Sequence, residues 1–321
     1  MKLSVFGVVL GQQTLDEACD YLEKRGVHAM EVGCGGFPGK AHCDPEVLLH
    51  DEGKLKEFSD TFKRHHIEIA ALSVHGNPVH PDPQQAKMYH DDFVNAVLLA
   101  EKLGVKRIVG FSGCPGGSAQ DKTPNWVTCP WPPDFSKILE YQWNEVLIPY
   151  WKKTIPFANE HGIEKIALEM HPGFCVYNPS TLLRLRKAVG NTIGANFDPS
   201  HLYWQGMDPV MAIRELGDAI YFFHAKDTKL DPVNIARNGV LDVQGYGKIN
   251  ERSWVFRTVG YGHSMLEWNS IVSELRINGY DDVISIEHED GLMSGSEGLS
   301  KAIRFLQQVL MTEDPGEMYW A

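Results

Sequence analysis

Short apolar runs alternate with longer amphipathic segments along almost the whole chain. The runs at Leu3–Val9, His28–Gly33, Ile67–Val74, Arg107–Phe111, Lys165–Met170, Thr192–Asp198, Ile220–His224 and Val283–Glu287 are rich in Ile, Val, Leu and Phe. Gly, Pro, Asp or His bounds each of them, a pattern that predicts strands. Between them lie Thr14–Arg25, Gln84–Leu103, Tyr150–His161, Thr181–Val189, Pro209–Leu216, Leu266–Asn278 and Gly298–Leu310. Apolar residues recur there at three- and four-residue spacing, as at Ala302, Phe305, Leu306 and Val309, which predicts helices with one buried face.

Eight strands alternating with helices over 321 residues predict an α/β fold, the (β/α)8 TIM barrel. A doubly wound open sheet would use similar elements, but "VFGVVLGQQT" lacks the G-x-G-x-x-G phosphate fingerprint after the first strand. The expected organisation is one barrel domain over residues 1–310 and a C-terminal tail, 311–321. Two connections are too long for simple turns. Ser112–Glu140, after the fourth strand, is rich in Pro, Gly and Trp, and Asp227–His263, after the seventh, alternates like a β-hairpin. Both follow strands, so both are expected over the catalytic face of a barrel.

Composition narrows the function classes. The net charge is −12, and no Lys/Arg cluster offers a footprint for nucleic acid. No apolar stretch nears the ~20 residues of a membrane span. "MKLSVFGVVLGQQ" lacks the cleavage site of a secretory signal and reads as a buried strand. Six cysteines form no C-x-x-C pair or regular framework, which fits a reduced, cytoplasmic protein.

Candidate chemistry sits at the ends of the last four strands, "KIALEM", "TIGANFD", "IYFFH" and "VISIE". Each closes on a potential metal ligand: Glu169, Asp198, His224 and Glu287. Side chains alternate along a strand, so Ala167 and Glu169 share one face, as do Gly194, Asn196 and Asp198, and Val283, Ser285 and Glu287. The opposite faces, such as Ile166, Leu168 and Met170, are apolar and suit packing on helices. Three carboxylates and an imidazole then converge at one rim, where like charges repel. A divalent cation relieves that repulsion, and oxygen ligands with one imidazole suit Mn²⁺, Mg²⁺ or Co²⁺ better than a thiolate-selected Zn²⁺. One Mn²⁺ ion is expected, with Mg²⁺, Co²⁺ and Zn²⁺ as alternatives.

With those motifs in view, the sequence resembles the sugar isomerase/epimerase superfamily of xylose-isomerase-like barrels. "ALEMHP", "NFDPSHL", "FFHAKD", "VGYGHSMLEW" and "GYDDVISIEHED" carry the resemblance. It implies a single divalent cation on Glu169, Asp198, His224 and Glu287, with Glu169 and Glu287 also moving a proton beside a carbonyl. It implies too that His201 contacts substrate. Two departures stand out: ketose 3-epimerases place a glutamate where this chain has Cys175 and an arginine where it has Leu230. Arg237, Arg252 and Arg257 are the available replacements. The endonuclease branch needs further ligands, and "RIVGFSG" supplies none.

Further candidate substrate contacts are His75 and Glu31, facing inward at strand ends, and Lys226, which is alternatively a charge partner for the carboxylates. His171 and Glu289 are expected in the pocket wall, and His288 toward the helices. Trp126 and Trp131 of the Pro-rich insert could stack on a sugar face or pack the insert itself. Ser294 and Glu297 read as a capping box rather than a phosphate site, and nearby Glu287, Glu289 and Asp290 would repel phosphate. The expected ligand is therefore an unphosphorylated sugar or keto-sugar, and the expected assembly a homodimer or homotetramer. The reading is a metal-dependent carbohydrate isomerase or epimerase working through an enediolate. The alternatives are a lyase or deglycosidase of 3-oxo-sugars, and a non-catalytic sugar-binding or partner subunit.

Overall fold

Parallel hydrogen-bonded pairing closes on itself in the computed structural model, which describes residues 1–320. The barrel strands are β1 (Lys2–Phe6), β2 (Ala29–Gly33), β3 (Glu68–Ser73), β4 (Arg107–Phe111), β5 (Lys165–Glu169), β6 (Ile193–Phe197), β7 (Ile220–Ala225) and β10 (Val283–Ile286). β1 pairs with both β2 and β10, which makes the eight strands a closed (β/α)8 TIM barrel as the alternation predicts. The extra strands β8 (Asp227–Leu230) and β9 (Trp254–Arg257) form a separate antiparallel pair in the insertion after β7.

Two-residue alternation sorts the interior into layers. Ala29, Ala71, Val109, Ala167, Phe222 and Val283 pack together low in the barrel. One step up, Ser4, Glu31, Ser73, Asn196, His224 and Ser285 are all fully buried. Another step reaches His75, Asp198, Lys226 and Glu287 at the C-terminal rim. The outward faces join the helices in the main core, where Ile166, Leu168, Ile193, Phe197, Phe223 and Ile284 meet Leu182, Ile213, Trp268 and Leu306. Helix starts follow local chemistry: Asp82, Asn178 and Asp208 each cap a helix whose first residue is proline.

Several boundaries differ from expectation. The first strand ends at Phe6, and Gly7–Leu10 forms a 3-10 turn. A Cβ on Gly7 would press on the end of the Met30 side chain, and the turn carries Val8 and Val9 over the barrel mouth. Two polar helices, Pro45–His50 and Glu52–Arg64, fill a stretch the periodicity left unassigned. The insertion after β4 is irregular only as far as Pro132. Helical structure then runs from Pro133 to Glu160, with a π turn at Tyr141–Leu147 ahead of Pro149, which lacks an N–H. In the β7 insertion, Trp254–Arg257 pairs antiparallel with Asp227–Leu230, at the two ends of the Asp227–His263 segment. Pro232–Asn238 is helical between them.

Two buried carboxylates clasp that insertion to the barrel. Asp227 accepts hydrogen bonds from the backbone of Gly260, Gly262 and His263 and from the His263 ring. Asp290 accepts from Arg257, from Thr258 N–H and hydroxyl, and from Leu292 N–H. The "VGYGH" motif is thus a fastening: its N–H groups converge on one carboxylate. Ser294 caps the last helix, but Glu297 turns to Lys301 at 2.7 Å instead of completing a capping box.

Among the described residues no helix is long and apolar enough to cross a membrane. All six cysteines are free thiols, and five of them are buried. Leu168 is fully enclosed between β5 and the helices. Leu168→Ala is expected to cost about 2–5 kcal/mol of unfolding free energy, measured by urea denaturation.

Candidate metal centre

Glu169 ends β5, Asp198 follows β6, His224 lies near the end of β7, and Glu287 follows β10. One donor atom from each of the four lies within 4.8 Å of the others. Local backbone chemistry aims them. Asp198 is the N-cap of Pro199–Trp204, and its Oδ1 accepts the Ser200 N–H at 2.8 Å. Its Oδ2 is left buried without a hydrogen bond. His224 Nε2 meets both oxygens of Glu31, at 2.9 and 3.0 Å. A carboxylate only accepts, so Nε2 carries a proton there, and Nδ1 faces the rim. That Nδ1 lies 3.1 Å from Glu287 Oε2 and 3.5 Å from Glu169 Oε2, and it too has no hydrogen-bond partner.

Three carboxylates and an imidazole with ligand atoms gathered at one point form a donor set that suits a divalent cation. Glu31 supplies the supporting carboxylate behind the histidine that such sites use. Ser73 and Ser285 hydroxyls in turn hold Glu31.

Charge at the rim is balanced residue by residue. Burial raises the Glu169 pKa, but the imidazoles of His201, His224 and His75 around it outweigh burial and hold the carboxyl well below its ordinary range. His75 Nε2 and His201 Nε2 each lie 3.0 Å from Glu169, one on either oxygen. Burial likewise opposes ionisation of Glu287, yet Lys226 and His224 bring its pKa down. Asp198 is shifted upward, chiefly by burial. Lys226 is almost fully enclosed, with Nζ 2.8 Å from Glu287, 2.9 Å from Glu289 and 3.1 Å from Asp198. Burial disfavours its charge, but Asp198 and Glu287 more than compensate, and its pKa lies well above normal.

A cavity of about 360 Å³ opens over this cluster, with Phe6, Phe37, Phe111 and His171 on its walls and Glu169, Lys226 and Glu287 on its floor. Its size is at the small end of ligand pockets. Residues 19–309 match the family model described as a xylose isomerase-like TIM barrel. The chain belongs to this family. It is 39% identical over 313 residues to a Bacillus subtilis (strain 168) protein described as uncharacterized protein YfiH, covering 97% of this chain and 99% of that one. Among solved structures, the IOLI protein with a bound zinc atom superposes with a TM-score of 0.66 at 21% identity, over 97% of this chain and 98% of that one. A D-psicose 3-epimerase crystallised with D-fructose gives 0.63 at 14% identity, over 97% and 99%. At these identities the structural likeness establishes the barrel.

Within this family's barrel, the predicted contacts divide. His75, Lys226, His171 and Glu289 line the cavity. Lys226 does so as the charge partner of three carboxylates. Glu31 does not reach a ligand: it is fully buried below the rim and holds His224. His201 is also enclosed, and its ring supports Glu169 from behind. Neither tryptophan stacks over the cavity. Trp126 packs edge-on against Tyr177 and joins Trp204, Trp254 and Phe256 beneath the insertions, whereas Trp131 is 74% exposed. His288 lies against Gly298 of the last helix, as alternation predicts, yet its edge also borders the cavity. Pattern reading missed the aromatic wall of Phe6, Phe37 and Phe111. Phe6 and Phe111 each end a strand, and that position was the available signal.

The two departures from ketose 3-epimerases keep their meaning in three dimensions. Cys175 is buried against Cys114, and Leu230 is partly exposed on β8. No replacement arginine turns to the cavity. The Arg252 guanidinium stacks on Tyr246 and Trp254 and bonds main-chain oxygens, Arg257 binds Asp290, and Arg237 is exposed. Because Glu31 fixes the His224 tautomer, Glu31→Gln is expected to weaken Mn²⁺ binding about 10–100-fold. Calorimetric titration measures it, with circular dichroism confirming the fold.

Proposed function

We propose that the protein is a divalent-metal-dependent carbohydrate isomerase or epimerase that moves a proton at the carbon beside a carbonyl. The observation that carries this reading is the pair Glu169 and Glu287, on different strands, both reaching the floor of one cavity and the same cluster of ligand atoms. Glu169, Asp198, His224 and Glu287 would hold the ion, which when bound polarises a carbonyl and its neighbouring hydroxyl and so acidifies the carbon between them. Glu287 is kept ionised by Lys226 and His224 and can accept that proton. Glu169, immobilised by His75 and His201, would act from another wall. Lys226, 2.8 Å from Glu287, keeps the charge of that carboxylate matched as it gains and loses the proton.

The family supports carbohydrate chemistry, and a solved neighbour is named an epimerase. Glu287 and Glu289 border the pocket and would repel a phosphate, which favours an unphosphorylated sugar. A second reading follows from the missing polar anchors at Cys175 and Leu230. On a 3-oxo-glycoside, loss of the proton from carbon 2 gives an enolate that can expel the carbon-1 substituent. A carbon–carbon double bond forms as the carbon–oxygen bond breaks, and the leaving alkoxide takes up a proton.

With manganese-loaded protein in deuterated water, an accepted keto-sugar is expected to gain deuterium beside its carbonyl. Glu287→Gln should lower the exchange rate by about 10²–10⁴, with metal content measured in parallel to separate proton transfer from ligation. Turnover without any exchange would eliminate the proton-transfer role.

A further inference from the structure

A second cavity, of about 730 Å³, adjoins the metal pocket. The two share His171, His288 and Glu289 as common wall. Their chemistry differs sharply. The first has a floor of carboxylates and ammonium, while the second is built from Tyr246, Ile249, Val255, Phe256, Leu292 and Met293. Phe256 joins the two environments: the Lys226 Nζ sits 4.7 Å from its ring centre, and Tyr246 stacks nearly parallel to it at 5.9 Å.

The apolar wall is a fixed surface. Asp227 and Asp290 fasten the C-terminal end of the β7 insertion, Arg257–His263, and the Arg252 guanidinium lies against Tyr246 and Trp254. Yet Tyr246 and Leu292 remain 62% and 57% exposed. The Asp290 carboxylate is already saturated by Arg257, Thr258 and Leu292, so the cavity offers few free hydrogen-bonding groups beyond the shared wall. A second sugar ring would bring hydroxyls that this surface leaves without partners. A flat, apolar group suits it.

We infer that this cavity is a second subsite, which receives the aromatic aglycone of a glycoside whose sugar ring occupies the metal pocket. The inference rests on the reading of that pocket as a metal-dependent carbohydrate site, and it names the substrate class as aryl glycosides rather than free sugars. The subsite follows from the insertion after β7, because Tyr246, Ile249, Val255 and Phe256 all belong to it.

The test is calorimetric titration of manganese-loaded protein with methyl D-glucopyranoside and with 4-nitrophenyl D-glucopyranoside, each as both anomers. None carries the carbonyl needed for turnover. In at least one anomer the aryl glycoside is expected to bind tenfold or more tightly than its methyl counterpart. Leu292→Asp and Tyr246→Ala, both at exposed wall positions, should each remove that margin and leave the methyl glycoside unchanged. Equal affinities of aryl and methyl forms, including undetectable binding of both, overturn the subsite, as does a margin that survives both substitutions. Manganese stoichiometry measured on the same sample separates the failures. Full uptake with equal affinities removes the subsite alone, whereas no uptake removes the metal reading with it.

Discussion

Crowded negative charge at a buried rim is the constraint around which this barrel is organised. Glu169, Asp198 and Glu287 bring ligand atoms within 4.8 Å of one another and of His224. Two unit charges at about 4 Å repel by roughly 4 kcal/mol at an effective dielectric near 20. The structure answers with positive or donating groups from several strands: His75, His201 and His224 on Glu169, and Lys226 on Asp198 and Glu287. The protein neutralises most of the charge around four converging ligand groups, a combination suited to a cation that completes the set.

The barrel makes this arrangement precise because every strand repeats the same vertical sequence of chemistry. Along β7 the inward side chains run Phe222, His224, Lys226; along β10 they run Val283, Ser285, Glu287; along β6 they run Gly194, Asn196, Asp198. Apolar or small residues fill the lower barrel, hydroxyl, amide and imidazole groups bonded to Glu31 form a middle layer, and the other charged groups gather toward the rim. The middle layer transmits order upward. Ser73 and Ser285 hold Glu31, Glu31 orients His224, and His224 then presents Nδ1 to the carboxylates. Strand ends thus supply the ligand groups, while the insertion after β7 supplies much of the wall of the adjoining cavity.

Much of this was legible in the chain itself. A two-residue period in short apolar runs and a three-to-four-residue period between them determine strands, helices and the barrel, because both are properties of neighbouring residues. The same alternation put Glu169, Asp198 and Glu287 on inward faces before any contact was known, and the periodicity of Leu266–Asn278 marked a helix that the structure keeps. What tertiary structure alone decided was partnership across sequence distance. Glu31 and His224 stand 193 residues apart, and His75 and Glu169 stand 94 apart. No local pattern reveals that one glutamate supports a ligand from below while another is itself the ligand. Trp126 and Trp131 carry the same chemistry in the same insert, yet one is packed and the other bare. Nor could spacing show that Trp254–Arg257 would pair with Asp227–Leu230 across a helix. Periodicity sets which way a side chain points, but only closure of the barrel brings the distant groups it meets.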